Sequence, residues 1–150
     1  MVCDDLAEYL ILDDLEKVNG SLQLYYMNQV SSFMLPSLLE VNGNFNLSNN
    51  SSMEHFEAPL FHDLTGSLTI RDNTDLQTVD LSSLECIEDF TVVGNNMTPE
   101  VLHALLLQLS CSRARHTALV VVRDGPGSSG SDLCSAADAR SAAKELKRHC

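Results

Sequence analysis

Apolar positions recur at an interval of 23 residues through the first two-thirds of the chain. Val18, Val41, Leu64 and Ile87 fall in one register, and Leu15, Leu38, Phe61 and Leu84 in a second. After each pair the pattern changes to strict alternation: Leu22-Gln23-Leu24, Phe45-Asn46-Leu47 and Leu68-Thr69-Ile70. Period-two alternation predicts strands with one buried face. A fourth segment, Phe90-Thr91-Val92, keeps the alternation after a one-residue deletion. Self-similarity at this period predicts a solenoid, in which each turn of chain buries its apolar side against the next. Stacked one per coil, the strands form a parallel sheet with Leu22, Phe45, Leu68 and Phe90 pointing inward. Its outward columns are Ser21, Asn44, Ser67, Asp89 and Gln23, Asn46, Thr69, Thr91. A further apolar pair follows in each repeat (Val30 and Phe33, Met53 and Phe56, Leu76 and Val79), so two or three short strands per coil are expected.

The corners also follow the period. Asn19-Gly20, Asn42-Gly43 and Thr65-Gly66 precede the strands, where glycine would supply a positive φ for a tight corner. The fourth copy has Glu88 and Asp89 there and lacks the glycine. Asn50, Asn73 and, across the deletion, Asn95 follow the strands, and a stacked asparagine column can tie coils together through side-chain to backbone hydrogen bonds. A solenoid must cover its ends. Asp4-Asp5 followed by Leu6, Leu10, Ile11 and Leu12 is read as a short helix or truncated first coil. Thr98-Pro99 is a helix start, with threonine as N-cap and proline at the first helical position. The apolar run after it predicts a capping helix, with His103 a core-edge residue rather than a ligand.

Charge divides the chain into two parts, 1–110 and 111–150. The first holds only Lys17 and Arg71 against 17 acids; the second holds seven basic residues against four acids. The acidic coil argues against nucleic-acid partners and anionic membranes. In the tail, Thr117 to Val122 reads as a strand, Gly125 to Gly130 as a Gly/Ser loop and Ser135 to His149 as an Ala-rich helix, so the tail is short α/β or disordered chain. Gly125, Gly127 and Gly130 satisfy G-x-G-x-x-G, but no second strand follows within the chain to complete a βαβ unit, and a dinucleotide site is rejected.

Chemistry is sparse. His55 and His62 have no placed nucleophile, and Asp72 and Asp75 lack a calcium-loop pattern. No enzyme activity, cofactor or metal is expected. No apolar run reaches the length of a membrane span, so no direct membrane insertion is expected either. Five cysteines leave at least one unpaired in a monomer. Cys86 and Cys111 flank the last coil and are the candidate disulfide. Five sequons stand at Asn19, Asn46, Asn49, Asn50 and Asn96, and one or two glycans are expected if the chain is secreted. Asn19 reads equally as a corner residue and Asn50 as a ladder residue.

The repeats resemble the receptor L-domain family, most closely over Asp63 to Leu84 (DLTGSLTIRDNTDLQTVDLSSL) and least in the fourth copy. The resemblance covers about Leu10 to Leu109. It implies a mainly β, right-handed parallel β-helix, a leucine-rich-repeat-like solenoid of about four coils. The family includes the extracellular L domains of insulin- and EGF-type receptors and fungal GPI-anchored cell-wall organisation proteins, and the Ser/Asn/Thr-rich faces are more similar to the fungal branch. The implied function is a cell-surface or cell-wall structural or adhesion protein whose partner is wall polysaccharide or a protein ligand. The alternative is a receptor-like module recognising a protein through Gln23, Asn46, Thr69 and Thr91, flanked by Tyr25, Ser48 and Arg71. A third possibility is an incomplete fragment without independent function. No leader is seen at Met1 and the basic end, Lys144 to Cys150, is unlike a GPI-attachment tail. The expectation is a piece of a secreted precursor, the competing reading a cytoplasmic copy with free thiols.

Overall fold

A computed structural model describes residues 8–84, 87 and 90–109 of the 150-residue chain. The N-terminal segment before Glu8, the fourth corner at Glu88 and Asp89, Cys86, Cys111 and the predicted tail elements lie outside the described residues. The protein is mainly β, a parallel β-solenoid of about four turns. The first coil holds β1 (Tyr9–Ile11), β2 (Lys17–Val18) and β3 (Leu22–Tyr25). The second holds β4 (Ser32–Met34), β5 (Glu40–Val41) and β6 (Phe45–Ser48), and the third β7 (His55–Glu57), β8 (Asp63–Leu64) and β9 (Leu68–Arg71). The fourth contributes β10 (Thr78–Asp80) and β11 (Phe90–Val93), and α1 (Pro99–Leu109), the one helix among the described residues, follows.

Each strand pairs with its equivalent one repeat away, which gives three parallel sheets: β1-β4-β7-β10, β2-β5-β8 and β3-β6-β9-β11. The register is that of the sequence repeat. Leu22 lies against Phe45, Phe45 against Leu68 and Leu68 against Phe90. The register is 23 residues at β10 and 22 at β11, so the deletion falls between these two strands and leaves strand pairing intact. Alternation follows the predicted phase. Phe45, Leu47, Leu68, Ile70, Phe90 and Val92 are buried, Gln23 is exposed, and Asn46, Thr69 and Thr91 are half-buried. Four phenylalanines fill the middle coils: Phe45 lies 5.5 Å from Phe56 and 5.7 Å from Phe61, and Phe33 lies 6.0 Å from Phe56. Tilted rings at these distances contribute about 0.5–1.5 kcal/mol per pair beyond area burial.

The asparagine ladder forms as the spacing predicts. Asn50, Asn73 and Asn95 are buried. The Asn50 backbone N–H and side-chain amide both donate to Asn73 Oδ1 at 3.1 Å, and Asn73 repeats the arrangement on Asn95 at 3.3 and 3.0 Å. Each side-chain amide also donates to a strand carbonyl one coil back, at Leu24, Leu47 and Ile70. Among the described residues no buried side-chain polar atom lacks a partner, as a continuous ladder requires.

The corner glycines divide: Gly20 has the expected positive φ, 152°, with open space where a Cβ would stand, and the other two serve a different purpose. Gly43 and Gly66 do not have positive φ. Instead the coils approach so closely that a Cβ on Gly43 would sit 2.7 Å from the Gly20 carbonyl carbon and 2.8 Å from Ser21 N. The left-handed corner lies after the strand, where Tyr26, Asn49, Asp72 and Gly94 have φ of 55, 57, 54 and 68°.

The helix starts as predicted. The Thr98 carbonyl accepts from Leu102 N–H at 3.0 Å, and Thr98 Oγ1 accepts from Val101 N–H at 3.4 Å. Leu102, Leu105 and Leu109 are buried in the shared core, which closes the C-terminal end of the coil.

Candidate functional site

The outward face of the sheet β3-β6-β9-β11 carries the residues singled out in the sequence. Gln23, Asn46, Thr69 and Thr91 are lateral neighbours in adjacent strands. With strands about 4.8 Å apart, the column spans roughly 14 Å. These four side chains are uncharged amides and hydroxyls. Tyr25, Ser48, Arg71 and Val93 form the parallel column two residues on.

The second column is uneven. Tyr25 and Arg71 are exposed, while Ser48 is only 2 % exposed. Ser48 is a small side chain between two long ones in its column, and its hydroxyl donates to Asn46 Oδ1. It supports the Asn46 amide and does not face solvent, unlike the expectation that it contacts a ligand. Arg71 is committed locally, its Nε donating to Asp72 Oδ2 at 2.9 Å. Lys17 pairs with Glu40 on the adjacent strand. Both basic side chains of the described residues are therefore ion-paired, and no free cation on the described surface offsets its acids.

The sequon asparagines separate by environment. Asn19 is exposed, and Asn46, Asn49 and Asn96 are half-buried. Asn50 is fully buried with both side-chain atoms bonded in the ladder, so a glycan there is incompatible with the folded coil. The candidate disulfide partners Cys86 and Cys111 lie outside the described residues.

His55 Nδ1 lies 2.8 Å from Thr78 Oγ1 on the neighbouring strand, and His62 Nδ1 lies 3.0 Å from the Leu60 carbonyl. Asp72 holds Arg71, and no group of three His, Cys, Asp or Glu residues among those described is arranged to hold a metal. No helix among the described residues is long and apolar enough to cross a membrane. The chain matches no protein-family model, no curated protein and no solved structure.

Sequence reasoning missed two features. One is the left-handed column Tyr26, Asn49, Asp72 and Gly94, whose signal was available in the recurrence of Asn, Asp and Gly at one repeat position. The other is a pair of polar ladders on the surface. Ser67 N–H donates to Asn44 Oδ1 at 3.0 Å and Asn44 N–H to Ser21 Oγ at 3.1 Å, while Ser51 N–H donates to Asn28 Oδ1 at 3.2 Å.

Proposed function

We propose that the chain is a non-enzymatic structural or adhesion module of a cell surface or cell wall, contacting polysaccharide or protein through the outward face of β3-β6-β9-β11. The observation that carries this reading is the uncharged column Gln23, Asn46, Thr69 and Thr91 on a coil that is otherwise acidic. A rigid row of amides and hydroxyls suits a repetitive, hydrogen-bonding ligand and repels polyanions. The ladders that stiffen the coil suit a spacer that keeps its shape under load. The sequence resemblance to receptor L domains supports the same direction. Fold alone does not decide function, so the reading rests on this face. The receptor-like alternative would need exposed aromatic or arginine anchors at the centre of the face. Arg71 is engaged by Asp72, which favours the structural reading.

The test is localisation of the tagged full-length product in its own cells, by protease shaving of intact cells and by glycosidase shift. Removal of the tag by external protease supports the reading. A product protected in intact cells and cleaved only after lysis overturns it.

A further inference from the structure

Tyr26 occupies a backbone conformation that its side chain does not favour. In the same repeat position the other coils place Asn49, Asp72 and Gly94, residue types that tolerate the left-handed region. A tyrosine at φ 55° is the outlier of the column. Its backbone is held from both sides: Tyr25 is fixed in the β3–β6 register, the Met27 N–H donates to Asn50 Oδ1 at 2.9 Å, and Asn28 Oδ1 accepts from Ser51. Strain of this kind persists where surrounding structure imposes it, and it concentrates at ligand sites. The ring itself contributes little to the core, because Tyr26 is 72 % exposed. Beside it Tyr25 is 38 % exposed, and the two ring centroids lie 6.5 Å apart at 45°.

We infer that Tyr25 and Tyr26 form an aromatic contact site for a neutral polysaccharide, entered from the first-coil end of the Gln23–Asn46–Thr69 column. Tyrosine offers a flat apolar ring with a polar tip at low entropic cost. Sugar rings present the complement, a C–H face ringed by hydroxyls. The adjoining amides and hydroxyl of Gln23, Asn46 and Thr69 are neutral donors and acceptors. The acidic coil disfavours uronate, sulfate and phosphate polymers. This inference rests on the contact face proposed above and names its ligand class.

The experiment uses the full chain, made without glycans, and sedimentation with insoluble β-1,3-glucan, chitin and cellulose, with calcium alginate as the anionic control. Melting curves accompany each variant. Retention on a neutral polymer and not on alginate is expected. Tyr26→Asn, which installs the residue that the second coil already uses, should weaken retention about tenfold, the effect of losing one good aromatic contact. It should also raise Tm by about 4 °C, because the left-handed strain is relieved. Unchanged retention by Tyr26→Asn overturns the site, and so does a wild-type protein retained on none of the neutral polymers. Weaker retention with a lower Tm overturns it too, because the corner would then depend on Tyr26 for folding. A protein retained through Tyr26 but never exposed at the cell surface sinks the localisation alone. A surface protein indifferent to all three polymers sinks this inference alone.

Discussion

Asn73→Ala is the sharpest perturbation of the coil. The Asn73 amide makes four hydrogen bonds: its oxygen accepts from Asn50 N–H and the Asn50 side chain at 3.1 Å, and its nitrogen donates to the Leu47 carbonyl and Asn95 Oδ1 at 3.0 Å. Alanine strands the buried Asn50 N–H, which costs about 1–3 kcal/mol, and removes side-chain bonds with a net contribution of about 1 kcal/mol each. With three such bonds besides the stranded N–H, a loss of about 4 kcal/mol or more is expected. For a domain of this size that corresponds to a fall in Tm of at least about 10 °C. Asn44→Ala is the matched control. It deletes the same side chain from a surface ladder, where water replaces the bonds to Ser67, and should cost about 0.5 kcal/mol. Urea unfolding of the two variants gives both values. Equal midpoints would refute the claim that burial, and not the asparagine repeat itself, gives the ladder its strength.

Leu68→Asp buries an uncompensated carboxyl at a fully buried position and should unfold the coil, whereas Thr69→Asp, one residue on and half-exposed, should melt near wild type; equal melting temperatures would contradict the strand phase. Gly43→Ala forces a Cβ against the Gly20 backbone and should cost about 1–3 kcal/mol in denaturant titration, although Gly43 does not have positive φ. Thr98→Ala removes the N-cap of α1 and should cost about 1 kcal/mol. The Glu100 carboxyl is held below its ordinary range, first by its own backbone N–H and second by Thr98. A depressed carboxyl stabilises above its unfolded pKa and loses that contribution as pH falls through the folded value. In Thr98→Ala the Glu100 pKa should rise toward its ordinary value, and carboxyl NMR titration that shows no rise would contradict the pairing.

Much of the fold was legible because a stacked coil writes its geometry into the sequence. The strand at Leu68 to Arg71 is visible from alternation alone, and the register of Phe45 on Leu68 is the repeat length itself. Asn50 and Asn73 were legible as a ladder because the amide is required at one position per coil. Glycine was harder: its recurrence was plain, but flexibility and lack of a side chain give the same sequence signal, and only the 2.7 Å approach at Gly43 separates them. Ser48 misled for a related reason. Alternation assigns it to the outward face, yet burial also depends on its lateral neighbours Tyr25 and Arg71, which are distant in sequence. Tyr26 was visible in the sequence as an aromatic side chain, but its strain was not, because only the backbone angle puts a tyrosine where Asn49 and Asp72 stand in the other coils. Ligand contacts leave no period, so the coil could be read from the sequence and the proposed ligand could not.

The central claim is that each repeat is one coil, with the deletion absorbed outside the strands. Cross-strand amide NOEs in the full-length protein test it most directly. The account predicts parallel-sheet contacts from Leu24 to Leu47, Leu47 to Ile70 and Ile70 to Val92, at separations of 23, 23 and 22 residues. Antiparallel contacts between successive strands, or contacts from Ile70 to Val93 in place of Val92, would contradict it.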